Sequence, residues 1–155
     1  MERAEVLSTS FSGSFFSRWF RWTGVVFVNL NQVTVPSHDL ATSVRFYQTL
    51  GLRLIVDSIP RYARLECPDG EATFSIHHVE HPIQTEGLSV YFECKDLDDQ
   101  VARLKEEGIE LEGEPIDQIW LWREARLRDP DGNQVILFWG GENRKNPPWR
   151  ASGKT

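Results

Sequence analysis

Four residues near the middle of the chain, His77, His78, Glu80 and His81, are its densest group of side chains able to bind a metal or move a proton. Imidazole and carboxylate are common ligands of divalent transition metals. In a strand, however, neighbouring side chains point to opposite faces, so His77 and His78 cannot both reach one interior ion. A strand end carrying partly exposed histidines accounts for the group without a metal. Cys67 and Cys94 are the only thiols. They have neither CxxC nor Cys/His zinc spacing, and two are too few for a disulfide framework. They read as reduced thiols in or near strands, which fits a cytoplasmic location. The chain contains no GxSxG nucleophile motif, no phosphate-binding loop and no dinucleotide fingerprint.

Composition narrows the partners. The net charge of -6 argues against nucleic acid, because phosphate contacts need a basic surface. No apolar run approaches the roughly 18 residues of a membrane-spanning helix, so no membrane partner is expected. A chain of 155 residues suits one globular domain or two small modules sharing a core.

The elements that must position any site alternate along the chain. Val25–Val35 is rich in Val and Phe and reads as a strand. Asp39 then offers a helix N-cap, Leu40, Val44, Tyr47 and Leu50 follow at helical spacing, and Gly51 ends the helix. Strands are expected near Arg53–Asp57, Tyr62–Glu66 and Ala72–His78, with Pro68-Asp69-Gly70 as a turn. Leu88–Cys94 reads as a further strand, and Asp96 as a second N-cap. Leu97, Val101 and Leu104 form the stripe of a second helix that stops at Gly108. Strands near Ile109–Leu111, Trp120–Arg128 and Gln134–Trp139 complete the series, the last two joined by Asp129-Pro130-Asp131-Gly132.

The pattern occurs twice. Each helix-capping Asp precedes its Gly by twelve residues (51 − 39 and 108 − 96), and the halves are offset by 57 (96 − 39). Downstream, Arg64-Leu65-Glu66-Cys67-Pro68-Asp69-Gly70 echoes Arg126-Leu127-Arg128-Asp129-Pro130-Asp131-Gly132 at an offset of 62 (132 − 70). Each half is therefore strand, capped helix and three strands. The expected fold is α+β, two βαβββ modules forming a curved mixed sheet with helices on the convex face. Residues 1–23 read as an irregular extension, 24–84 as the first module, 85–140 as the second and 141–155 as a C-terminal tail that Trp149 pins down. The Arg- and Ser-rich start also has some features of an organelle-targeting segment, which Glu2 and Glu5 count against. A helix covers one face of each sheet, and the uncovered faces are expected to line a trough suited to a small molecule.

Leu30-Asn31-Gln32-Val33-Thr34-Val35, the helix motif Asp39-Leu40-Ala41-Thr42-Ser43-Val44-Arg45-Phe46-Tyr47 with Leu50-Gly51, and Arg128-Asp129-Pro130-Asp131-Gly132-Asn133 together resemble the vicinal-oxygen-chelate superfamily over about residues 28–140. That superfamily includes glyoxalase I, extradiol dioxygenases and bleomycin-resistance proteins. The stretch from Trp122 to Pro130 is similar to the bleomycin-resistance branch. In metal-dependent members four strands each send a His, Glu or Gln into the trough. The resemblance puts those positions on Gln32, Ser89 and Ile136, with the remaining one near Ser75. If Phe74 and Ile76 face the helix, Ser75 and His77 face the trough; if the two PDG turns align without a gap, Phe74, Ile76 and His78 face it. Ser89 and Ile136 are poor ligands for a divalent cation, so no metal and no other cofactor is expected.

The resemblance also implies a homodimer. By strand parity the trough would be lined by Gln32, Thr34, His77, Ser89, Tyr91, Glu93, Trp120, Trp122, Ile136 and Phe138. Aromatic walls favour planar or cationic ligands, and Glu93 would supply an opposite charge or serve as a general base. The tryptophans are equally accounted for by core or dimer packing. The function read from these residues is metal-free binding of a small molecule. Two alternatives stand beside it. One is a metal-dependent lyase, isomerase or dioxygenase with a shifted site of His77, Glu93 and Gln32. The other is an interaction module whose trough is filled by its own side chains.

Overall fold

The structure, a computed structural model, describes residues 30–151. Strand β1 (Gln32–Ser37) leads into helix α1 (Leu40–Thr49), followed by β2 (Arg53–Ser58), β3 (Tyr62–Glu66) and β4 (Thr73–His78). The second half repeats the order with β5 (Ser89–Glu93), α2 (Leu97–Glu106), β6 (Ile116–Asp117), β7 (Arg123–Arg128) and β8 (Gln134–Trp139). The helices stand 57 residues apart at both ends (97 − 40 and 106 − 49), as the sequence repeat requires.

Hydrogen bonding divides the strands into two four-stranded mixed sheets, β1-β4-β3-β2 and β5-β8-β7-β6. In each, the first strand pairs in parallel with the last, while the remaining pairs are antiparallel. A parallel pair needs a crossover; the helix carries the chain from the first strand to the far edge of the sheet, and two antiparallel strands bring it back beside the first.

Local chemistry explains the helices. Asp39 accepts from the Thr42 amide at 3.1 Å and the Thr42 hydroxyl at 2.7 Å, which caps α1 and holds the Asp39 carboxyl below its ordinary range. Asp96 occupies the matching position of α2 but makes no side-chain cap bond. Gly51 (φ +109°) and Gly108 (φ +85°) adopt the left-handed backbone that ends each helix. Leu40, Val44 and Tyr47 form the buried stripe of α1, and Leu97, Val101 and Leu104 that of α2.

These stripes meet the helix-bearing sides of both sheets in one continuous core, which includes Val35, Leu65, Phe74, Ile76, Val90, Leu127, Val135 and Leu137. Tyr47, Phe74 and Phe92 bridge the halves, with ring centroids 4.3 Å (Tyr47–Phe74) and 5.5 Å (Phe74–Phe92) apart. Phe74 and Ile76 therefore face the helix, so Ser75 and His77 lie on the opposite, helix-free side of their sheet. The first of the two registers weighed from sequence is the one formed.

At one end of the seam a polar clamp joins the halves. The β7–β8 turn reaches the β1–α1 corner. Asp129 accepts from the Tyr47 hydroxyl at 2.7 Å, and Asp131 accepts from the His38 amide at 2.8 Å and the Ser43 hydroxyl at 2.7 Å. Asn133 donates to the Pro36 carbonyl at 3.2 Å and to Asp129 at 2.8 Å. Every buried side-chain nitrogen and oxygen among the described residues has a partner.

Four local expectations change. The first strand begins at Gln32, and its expected start near Val25 lies, like the extension 1–23, outside the described residues. The strand expected from Trp120 begins only at Arg123. Gln118 to Leu121 form a turn closed by Leu121 N donating to the Gln118 carbonyl at 2.9 Å, with Leu121 at φ +65°. Ile109–Leu111 contributes a single bridge, Leu111 with Leu127, rather than a strand. In the tail, Gly141–Arg144 form a short 3-10 helix, and Trp149 is 57% exposed rather than pinned.

Candidate functional site on the helix-free sheet faces

Each sheet has a face that no helix covers. On the first sheet, Thr34, Ser75 and Arg64 stand in cross-strand register. Ser75 is fully buried, its hydroxyl 2.8 Å from the Tyr62 hydroxyl, which also accepts from Arg64 Nε at 2.8 Å. The Arg64 guanidinium lies 5.7 Å from the Tyr62 ring centre. Gln32 sits at the edge, its side-chain carbonyl accepting from the Thr73 hydroxyl at 3.1 Å. His77 is exposed, between Pro36 and Tyr62 in register.

The second face is aromatic. Trp122 stacks on Phe138 with centroids 4.6 Å apart and a 28° tilt, and Tyr91 meets both edge-on at 6.0 and 5.6 Å. Gly140 permits this placement, because a β-carbon there would stand 3.0 Å from Trp122 Nε1. Ile136 and Phe138 are buried, while Tyr91 is exposed. Ser89 donates to Gln134 at 2.6 Å. Of the residues expected to line the trough, Ser89, Tyr91, Trp122, Ile136 and Phe138 thus share one face.

The other five expected residues behave differently. Glu93 is held by Arg144 at 3.0 Å, so its charge is already matched. Trp120 does not share a strand face with Trp122. It leaves the turn and donates its Nε1–H to Glu124 at 2.9 Å. Gln32, Thr34 and His77 lie on the first sheet. Among the described residues no side-chain hydrogen bond or aromatic pair joins that face to the second. The chain's two halves meet through their helix-bearing sides.

Sequence reasoning missed Glu124. It lies on β7 opposite Phe138, its side chain only 1% exposed, with Arg126 Nη2 a further 3.4 Å from its second oxygen. A carboxylate can accept about four hydrogen bonds, and Glu124 has one good neutral donor and one distant cation. A 380 Å³ cavity lies against it, bordered by Glu112, Glu114, Ile116, Gln118 and Arg126. Strand parity from Ile136 and Phe138 through the β7–β8 turn would have placed Glu124 on this face. Two oppositely charged neighbours, Arg123 and Arg126, hid it as one more surface charge.

The donor set at the four ligand positions implied by the resemblance does not fit a divalent metal. Gln32 is engaged with Thr73, Ser75 with Tyr62 and Ser89 with Gln134, while Ile136 offers no donor atom. Among the described residues no group of three or more His, Cys, Asp or Glu side chains could hold an ion. The histidine cluster splits in the same way: His77 and His78 point to opposite sides, and His81 Nδ1 lies 3.2 Å from the Pro82 carbonyl.

Two βαβββ modules, each pairing its first and last strands in parallel, define a duplicated fold. The family model of the Glyoxalase/Bleomycin resistance protein/Dioxygenase superfamily matches residues 29–137, and the chain belongs to that superfamily. Among solved structures, a glyoxalase/bleomycin resistance protein/dioxygenase from Nocardioides matches at TM-score 0.66 and 23% identity, over 84% of this chain and 93% of that one. A bleomycin-binding protein complexed with bleomycin matches at TM-score 0.60 and 21% identity, over 74% and 100%. Lactoylglutathione lyase from Agrobacterium tumefaciens matches at TM-score 0.60 and 19% identity, over 72% and 93%. At these identities the likeness is one of fold. No curated protein matches the chain in sequence.

Proposed function

We propose that the protein binds a small aromatic cation on the helix-free face of its second sheet, without metal. The observation that carries this reading is the pairing of the Tyr91–Trp122–Phe138 cluster with the buried Glu124 carboxylate beside it. Aromatic faces attract cations through the ring quadrupole, and a carboxylate out of bulk water strengthens that attraction. Glu124 thus takes the role that sequence reasoning gave to Glu93. One solved relative in fold is complexed with bleomycin, which accords with ligand binding by such a face.

The opposite wall of the cleft comes, on this reading, from the first sheet of a second copy in a homodimer, bringing Gln32, Thr34 and His77 toward the ligand. Exposed Ile116, Ile119 and Leu121 beside the second face supply apolar surface for that contact. A reducing cytoplasm suits the two free thiols; no described helix is long and apolar enough to cross a membrane.

A thermal-shift panel of aromatic ammonium and guanidinium compounds tests the reading, since ligands of the native state raise the apparent Tm. Stabilisation is expected in the wild type and not in Phe138→Ala. A panel without any stabilising compound would overturn it. So would stoichiometric Ni, Zn, Fe or Mn lost on Gln32→Ala, which would instead mark a metal-dependent lyase, isomerase or dioxygenase.

A further inference from the structure

The duplication makes the two ends of the inter-module seam comparable, and they are not alike. At one end the Asp129–Asn133 turn is clamped to the β1–α1 corner by Tyr47, Ser43 and Asn133, all buried. At the other end the matching turn, Cys67–Ala72, approaches the matching corner, Glu93–Asp96. Among the described residues no hydrogen bond or ion pair joins these two segments. Instead an 850 Å³ crevice opens between them.

The residues explain the difference. Counting 57 positions on from the clamp, Tyr47 becomes Leu104, Ser43 becomes Gln100 and Ser37, whose hydroxyl lies 3.0 Å from that of Ser43, becomes Cys94. Counting 62 back, Asp129 becomes Cys67. Asp131 keeps a carboxylate as Asp69, Asn133 becomes Glu71 and Ser43 becomes an amide, but the buried pair at the centre of the clamp, Tyr47 and Asp129, gives way to an alkyl group and a thiol. Gln100 turns to the Leu50 carbonyl at 3.4 Å, across the helix ends rather than toward the turn.

We propose that this open seam is a second binding site, separate from the aromatic face, for an uncharged and mainly apolar small molecule. Its walls are Leu50, Leu52 and Cys67 from the first half and Phe92, Cys94 and Trp139 from the second. Trp139 is 38% exposed there and offers apolar surface to a ligand. The volume lies within the range of small-molecule pockets, roughly 300–1,000 Å³. The charges around it cancel. Glu93 is paired with Arg144 and Arg103 with Glu107, leaving one acid, Asp69, and one base, Lys95. Burial pushes both thiols up, so they present neutral S–H groups. Nothing in the lining calls for a charged ligand. Tyr91 borders both sites, whereas Phe138 belongs only to the aromatic face and Ala72 only to the seam.

N-phenyl-1-naphthylamine, an uncharged probe that brightens in apolar surroundings, tests the proposal on the full chain. One-to-one binding is expected, at least tenfold weaker in Ala72→Trp, whose indole would fill the crevice from an exposed position, and unchanged in Phe138→Ala. The double variant Cys67→Asp/Leu104→Tyr, which transplants the clamp, is expected to close the seam and lose the probe as well. Occupancy should also slow thiol modification of Cys67 and Cys94. Absence of binding, equal binding to Ala72→Trp, or loss in Phe138→Ala with retention in Ala72→Trp would each overturn the proposal; none of these bears on cation binding at Glu124.

Discussion

The Tyr47 hydroxyl, on the first helix, donates at 2.7 Å to Asp129, in the turn between the last two strands, and both side chains are buried. The bond ties the two halves of the duplication together across 82 residues of sequence. Asp129 also accepts from the Asp131 and Asn133 amides and the Asn133 side chain, so its carboxylate is fully supplied with donors. The DPDGN motif is therefore the clamp between modules, and its acidic side chains serve the fold rather than a metal.

Tyr47→Phe is expected to cost about 1.5–3 kcal/mol, the range for a hydrogen bond to a charged group, read as a lower midpoint in urea unfolding. Alkaline pH offers a second measurement. Burial, then the Asp129 charge and hydrogen bond, holds the Tyr47 phenol far above its ordinary value. The folded chain keeps a proton that the unfolded chain releases near pH 10. This contribution is fully present below about pH 10 and is lost as the pH rises above it, at about 1.4 kcal/mol per pH unit. Tyr47→Phe should lack that slope. Equal alkaline slopes in the two proteins would contradict the assignment.

Leu121 adopts a left-handed backbone at φ +65° with its side chain largely exposed. That conformation costs a non-glycine residue about 1–2 kcal/mol, while glycine gives back about 0.4–1 kcal/mol through the unfolded chain. Leu121→Gly should therefore raise stability by roughly 0.5 kcal/mol, and Leu121→Val should lower it. Thermal unfolding that ranks the two variants the other way would contradict the turn geometry.

Burial raises the Cys67 and Cys94 thiols above their ordinary range, and each is only partly exposed. Thiolate is the reactive form. Modification by 5,5′-dithiobis(2-nitrobenzoic acid) at pH 8 should run about tenfold or more slower in the folded protein than in urea. Matching rates would place the thiols in open solvent.

Much of this architecture was legible in the sequence, for reasons visible in particular residues. The helix stripes Leu40–Val44–Tyr47 and Leu97–Val101–Leu104 recur at helical spacing, and each helix ends on a glycine that only a left-handed backbone requires. The β4 register was ambiguous because the first half has one more residue between turn and strand: Gly70 to Thr73 spans three positions, Gly132 to Gln134 two. A single residue reverses which side chains meet the helix. Trp120 was misplaced because a strand-like run of aromatic and aliphatic residues conceals the turn at Leu121. The seam was not legible at all. That Asp129 meets Tyr47 while Cys67 faces an open crevice depends on how the halves pack, and the repeat specifies each half alone.

Calorimetric titration with a matched pair, 1-naphthylmethylammonium and the neutral 1-naphthalenemethanol, isolates the role of the Glu124 charge beside the aromatic cluster. The cation should bind the wild type at least about tenfold more tightly, a difference of about 1.4 kcal/mol, and Glu124→Gln should bind both compounds alike while keeping the neutral one's affinity. Equal affinity of the wild type for both, or a preference for the cation that survives Glu124→Gln, would contradict a cation site built on that carboxylate.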